Sequence, residues 1–313
     1  MAGRAAAEAV IGTSIAGRDV AALVLAAVCW GLGTVVSKTA LAEIPPVSLL
    51  TIQLAASLVA LTALMRWQGI PLRGGASSLL GRLGLLNPGL AYALGLIGLM
   101  TISVSVSVLL WALEPLMILL LAGLFLRERI TPTLIAMSIL AVGGMVLVIY
   151  EPTPTGGQVL GVALTLAGVA CCAAYTVITR RFIPDAHETS QVVLAQQAYG
   201  LVLALGLAAV VGVLGGDLVP IALSPLGLMS GVLSGVLYYA AAYWLYLGAL
   251  RRVPASIAAT SFYLIPIVGV TAGALLLGER LGVSQWIGAL IVLGSVLAVL
   301  GRTGAGRAVS APA

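Results

Sequence analysis

Charge is what this 313-residue chain has least of: only 8% of its residues are charged, and a single lysine, a single histidine and three cysteines are spread along it. So few ionic groups cannot cover a water-facing globule when 61% of the residues are hydrophobic, which leaves lipid as the solvent. The one histidine, His187, sits in a connection beside Asp185 and Glu188. Cys29, Cys171 and Cys172 lie inside apolar runs without metal-ligand spacing. Metal clusters, histidine-based triads and disulfide frameworks are thereby excluded, and no metal or other cofactor is expected. A glycine-rich phosphate loop is missing too, because Gly156-Gly157 only precedes an apolar run; ATP-driven pumping would need another chain. An intramembrane enzyme would need convergent polar groups, and Glu114 is the only acid deep in a run. A channel would need a continuous polar stripe along some helix, and none occurs.

What the chain has in abundance is apolar sequence of membrane-crossing length. About 20 residues of helix span a hydrocarbon layer of roughly 30 Å. Ten runs fit, near 20–41, 47–66, 83–100, 103–126, 132–149, 157–179, 190–214, 224–249, 255–277 and 283–301. The expected fold is an all-α membrane protein of ten transmembrane helices. Residues 1–19 and 302–313 read as cytoplasmic tails, and the short connections leave no room for a soluble catalytic domain.

Basic residues set the orientation. With the N-terminus in the cytoplasm, thirteen arginines share that side, and only Lys38 and Arg280 lie opposite. The basic balance therefore reports topology and contact with the lipid bilayer; no nucleic-acid partner is expected.

One duplication organises the runs. Pro115 lies 13 residues before Glu128 in Leu-Arg-Glu-Arg, and Pro266 lies 13 residues before Glu279 in Leu-Gly-Glu-Arg, 151 residues further on. Val35-Val36-Ser37-Lys38 aligns with Val177-Ile178-Thr179-Arg180, and Tyr92 aligns with Tyr243. Five helices per copy is an odd number, so residues 20–150 and 157–301 form two inverted five-helix repeats around a central cavity. Glu128 then faces the cytoplasm and Glu279 the opposite side. Broken apolar segments at matching positions of two inverted halves mark a secondary transporter working by alternating access, on a small-molecule cargo bound where the repeats meet. Pro115 and Pro266 are expected to bend helices four and nine toward the centre.

These features, with Cys29-Trp30-Gly31 in the first run and the Pro…Gly-Glu-Arg-Leu close of the second copy, resemble the EamA-type exporters of the drug/metabolite transporter superfamily over residues 20–301. The first copy departs from the pattern at Arg127, where the second has Gly278. Within that superfamily the chain is most similar to bacterial exporters of aromatic and other neutral amino acids. The resemblance implies ten helices, both termini in the cytoplasm, location in the bacterial inner membrane, and export of small metabolites from the cytosol.

Candidate cargo contacts follow from side chains that are out of place in a bilayer. Trp and Tyr usually gather at the two interfaces, yet Tyr92, Trp111, Tyr175 and Tyr263 fall within spans, and Tyr239, Tyr243 and Tyr246 share one helical face. Deep N–H and O–H groups need partners, which a wet pocket supplies. Trp30 joins them through its first-helix position, and Asn87 because Asn87-Pro88 is placed to unwind a turn. Lys38 could meet a carboxylate at the mouth of the pathway or simply snorkel into headgroups. Glu114 could couple transport to protons or bridge helices as a neutral acid.

A pocket rich in aromatics and poor in charge suits neutral amino acids, aromatic ones above all. Lipophilic or quaternary-ammonium compounds are the alternative, since Glu114 with aromatics could receive a cation. Sugar phosphates or nucleotide sugars would call for basic residues near the midplane, and none is there. Gly227, Gly231 and Gly235, with Gly269 and Gly273, have the spacing that lets helices approach closely in lipid, either within a monomer or at the seam of a homodimer.

Overall fold

Helix is the only regular structure among the described residues, which in this computed structural model are 17–72, 78–125, 132–149, 156–180, 189–218, 223–250, 261–262 and 264–309. In chain order they form α1 (Gly17–Leu41), α2 (Pro46–Trp67), α3 (Leu80–Leu99), α4 in two pieces (Val104–Trp111 and Glu114–Phe125) and α5 (Pro132–Ile149). There follow α6 (Gly156–Arg180), α7 (Thr189–Val213), α8 in two pieces (Pro225–Gly235 and Ala242–Leu250), α9 (Leu264–Leu277) and α10 (Val283–Val309). α1, α2, α3, α6, α7 and α8 are long and apolar enough to cross a membrane, and shorter apolar helical stretches occupy 104–118, 135–148, 264–277 and 283–295. Large apolar side chains stand on the outside: Val59 is 71% exposed, Ile139 and Leu290 each 68%. Lipid accepts such a surface, and helices satisfy their own backbone within it.

Local chemistry explains the helix starts. Pro46 opens α2, where its missing N–H costs nothing. Ser103 caps α4 by accepting from the Val106 N–H (3.1 Å), and Ser224 caps α8 by accepting from the Gly227 N–H (3.0 Å). Two helices are irregular at corresponding places. α3 passes through a wide π turn at Leu86–Leu90, with Asn87 extended (φ −141°, ψ 117°) before a cis bond to Pro88, and α8 has a π turn at Val236–Ala241.

Packing repeats with the same regularity. α1 lies against α8 and α9, and α6 against α3 and α4; α2 packs on α8, and α7 on α3. α2 also meets α7, α4 meets α9 and α5 meets α10. Shifting each helix number in the first group by five, up for α1 to α5 and down for α6 to α10, gives its counterpart, and the last three pairs are their own counterparts. Close backbone approach follows the same rule. A Cβ on Gly235 would sit 2.5 Å from the Gln53 carbonyl oxygen, and one on Gly84, also 151 residues earlier, 2.0 Å from that of Gln196. The remaining spaced glycines likewise pack within the chain: Gly231 on Ile44 and Leu49, Gly269 on Val108, Gly273 on Glu279 and Ser105.

α1 is described from Gly17, with Asp19 buried in its first turn, and α10 to Val309. Pro115 stands at a break in α4 between Trp111 and Glu114, and Pro266 lies in α9, whose described part starts at Leu264. Glu128, Tyr263, His187 and Arg127 lie outside the described residues.

At one end of the bundle Glu43, in the α1–α2 connection, accepts from the Ser224 N–H and from its Oγ, both at 2.8 Å. These bonds hold its carboxyl below the ordinary glutamate range. A carboxyl lowered on folding stabilises above its unfolded pKa, about 4.3, and the contribution is lost as pH falls through the folded value. Glu43→Gln should therefore lower the thermal midpoint of the detergent-solubilised protein at pH 7 and lose that difference toward pH 3; an equal gap at both pH values would contradict the role. Gly235→Val should destabilise by about 1–3 kcal/mol through overpacking against α2, read as a lower thermal midpoint than for Gly294→Val, where a Cβ meets nothing within 4 Å.

Candidate binding site at the centre of the bundle

A cluster of rings joins four helices. Tyr92 on α3 stacks on Trp111 at the break of α4 (centroids 5.4 Å, 24°) and meets Tyr238 and Tyr239 of α8 edge-on at 5.3 and 5.2 Å. Its hydroxyl shares a hydrogen bond with that of Tyr243 at 3.2 Å. Tyr243 touches Trp30 of α1 edge-on at 5.5 Å, and Trp30 also contacts Tyr246 and Phe262. Rings in such offset or edge-on pairs gain about 0.5–1.5 kcal/mol each beyond their burial. The result is a continuous aromatic path through α1, α3, α4 and α8.

Beside it lies a central cavity of about 30 Å³ between Thr34, Ser37, Gly95, Ser107, Trp111 and Tyr238. That volume suits a water molecule or two; a metabolite needs more. A larger cavity of about 300 Å³ opens among the ends of α1, α2, α7 and α8, lined by Met65, Gln68, Ser190, Trp244 and neighbours. It shares no lining residue with the central one.

Buried amides hold the rings' scaffold. Gln53 of α2 donates to Ser37 Oγ (2.9 Å) on α1 and Ser234 Oγ (2.8 Å) on α8. At the counterpart place on α7, Gln196 accepts from the Tyr175 hydroxyl (2.9 Å) of α6 and donates to the Leu80 carbonyl (3.1 Å) of α3. Gln197 donates to the Tyr239 carbonyl at 2.6 Å, inside the π turn, and accepts from Ser57. A widened turn frees carbonyls that lipid cannot solvate, so a side chain must meet them.

The remaining anticipated residues fall in different places. Trp30, Tyr92, Trp111, Tyr239, Tyr243 and Tyr246 come together, whereas Tyr175 turns to Gln196 and Asn87 is buried in the α3 turn. Glu114 begins the second piece of α4, within electrostatic reach of Cys172, Tyr238 and Tyr246. Lys38 lies apart, at the Glu43 end: its ammonium donates to the carbonyls of Leu99 (2.5 Å), Ile102 (2.8 Å) and Met100 (3.3 Å). Glu279 is its neighbour there, accepting from the Val104 N–H (2.7 Å), the Ser105 N–H (2.9 Å) and Ser105 Oγ (2.7 Å). Sequence reasoning missed Tyr238, because a regular helix turns it off the Tyr239–Tyr243–Tyr246 face and only the π turn brings it back. It also missed Gln53, Gln196 and Gln197, although amides inside apolar runs were a legible signal.

The geometry agrees with comparisons to known proteins. An uncharacterised transporter of Archaeoglobus fulgidus is 26% identical over 288 residues, covering 90% of this chain and 98% of the relative. A permease-like protein of Bacillus subtilis, YdzE, is 36% identical over 66 residues, 21% of this chain and 85% of its own. A protein solved by crystallography shares the fold with a TM-score of 0.62 at 17% identity, over 92% of this chain and 98% of that one. The sequence pattern of the EamA-like transporter family matches twice, at residues 19–150 and again at 159–301, so this membrane protein belongs to the EamA-like transporter family.

Proposed function

We propose that the chain crosses the bacterial inner membrane ten times as two inverted five-helix repeats, residues 20–150 and 157–301, with both termini in the cytoplasm, and exports small neutral amino acids, aromatic ones preferred, by alternating access. The observation that carries this reading is the Tyr92–Tyr243 hydrogen bond: residues 151 apart in two similar halves touch each other, as expected of residues near a two-fold axis between the halves. The five-apart recurrence of helix contacts and the paired π turns support the same axis. Two halves related in this way can exchange conformations, giving outward- and inward-open forms of similar energy. With arginine-rich connections inside, the Lys38, Glu43 and Glu279 end is outer and closed, and the 300 Å³ cavity opens inward. The rings around Tyr92 and Trp30 supply apolar and edge-on contacts to an aromatic side chain, and Thr34, Ser37 and Ser107 supply neutral hydrogen-bonding groups.

Glu114, an acid at the break of α4 next to Trp111 and the ring cluster, favours a second reading, efflux of lipophilic or quaternary-ammonium cations. Proteoliposome uptake of labelled phenylalanine, a sugar phosphate and a quaternary amine separates the readings. Phenylalanine is expected to move, and Tyr92→Ala to slow it at least about tenfold, the equivalent of roughly 1.4 kcal/mol of lost contact. Movement of the amine alone, stopped by Glu114→Gln, would transfer the assignment to cations. Topology has its own check. In a chain whose native cysteines are replaced, Arg129→Cys should react with an impermeant thiol reagent from the cytoplasmic face and Gly282→Cys from the other; reaction from one common face would end the inverted arrangement.

A further inference from the structure

The tight connection between α3 and α4 is held by two opposite charges. Its first side is the C-terminal end of α3, whose unpaired carbonyls carry partial negative charge; all three protons of the Lys38 ammonium have acceptors there, at Leu99, Met100 and Ile102. Its second side is the N-terminal end of α4, whose unpaired N–H groups carry partial positive charge; there Glu279 accepts from Val104 and Ser105. Lys38 comes from α1, whereas Glu279 comes from the turn between α9 and α10 in the other half. Gly278, at φ +69°, turns the chain back so that the Glu279 N–H reaches the Gly273 carbonyl (3.2 Å), and Gly273 leaves space for the carboxylate, since a Cβ there would come within 2.9 Å of it. Immediately beneath the connection, Leu99 and Ser107 line the central cavity.

We propose that Lys38 and Glu279 are the gating residues of the outer end: together they clamp the Met100–Ser103 connection over the central cavity, and opening to the outside requires their release. This rests on the alternating-access reading, which supplies the need for an outer opening. The clamp is built to be reversible. Each charge bonds backbone dipoles, so both can be exchanged for water or headgroups without leaving an unpaired charge behind, whereas apolar packing alone would give no defined closed position. Because one clamp arm belongs to each half, movement of the halves against one another acts on the connection directly. Lys38, read in isolation as a mouth for carboxylates, has its donors committed in this closed form.

The test is accessibility, so it does not depend on transport being measured. Ser107→Cys is placed in a chain with Cys29, Cys171 and Cys172 replaced by alanine, and an impermeant maleimide is added from outside to intact cells. Lys38→Met and Glu279→Gln should each speed labelling at least about tenfold, as expected for losing charge-assisted bonds, while Lys38→Arg stays near the parent rate. Ser48→Ala, which breaks only the bond to the Leu218 carbonyl at the same end, should change nothing. Parent-like labelling in monodisperse Lys38→Met and Glu279→Gln proteins would overturn the gate. Should either variant fail to fold, hydrogen exchange in the conservative Glu279→Asp protein decides: its Val104 and Ser105 amides should exchange faster than in the parent, and equal rates would overturn the clamp. Labelling that responds in a chain that moves no amino acid would keep the gate and discard the cargo assignment.

Discussion

Backbone polar groups have nowhere to go in lipid, and the whole architecture follows from meeting that constraint wherever a helix ends or opens inside the bundle. Unbroken helices such as α2 and α6 satisfy themselves. The ends and wide turns do not, and four of them have a side chain assigned. Glu279 takes the N–H groups of α4, Lys38 the carbonyls of α3, Glu43 the start of α8, and Gln197 the Tyr239 carbonyl in the α8 π turn. Buried amides and hydroxyls that link helices contribute only about 0.6 to 2 kcal/mol each in a membrane, so their value is positional: they fix where α3, α4 and α8 are allowed to be irregular.

The irregular places are also where the rings meet. Tyr238 and Tyr239 reach Tyr92 together because the α8 turn between Val236 and Ala241 is wide, and Trp111 stacks on Tyr92 because α4 stops just after it. The broken helices bring polar backbone, aromatic faces and a cavity of about 30 Å³ together. This is the arrangement by which a membrane protein can hold a solute at the midplane without placing a charge there. Closure is uneven between the ends: three acid- or amine-to-helix contacts and a serine bond gather at the Lys38 end, and the larger cavity occupies the opposite one.

Much of this was legible in the chain. Run lengths announced the helices, and the 13-residue spacing from Pro115 and Pro266 to the glutamates announced two related halves, which the double family match repeats. Asn87-Pro88 announced its unwound turn, since proline removes a donor and constrains the residue before it. Of the residues expected to contact cargo, Trp30, Tyr92, Trp111, Tyr239, Tyr243 and Tyr246 are neighbours of one another. Tyr175 was equally deep but answers to Gln196, because depth says nothing about which way a helix is rotated. Helix extends beyond the apolar runs at both ends, with Asp19 tucked into α1 and α10 running on to Val309, because backbone hydrogen bonding does not stop where hydropathy fades.

By itself the sequence determined the solvent, the number and order of apolar runs, and the presence of a duplication, because each depends on composition or spacing along the chain. Only the tertiary structure decided that Glu279 serves α4 and Lys38 serves α3, that Tyr92 and Tyr243 share one hydrogen bond, and which end holds the larger cavity. Those facts join residues up to 175 positions apart. Contacts over such separations are set by how helices rotate and cross when they pack, and no local periodicity carries that information.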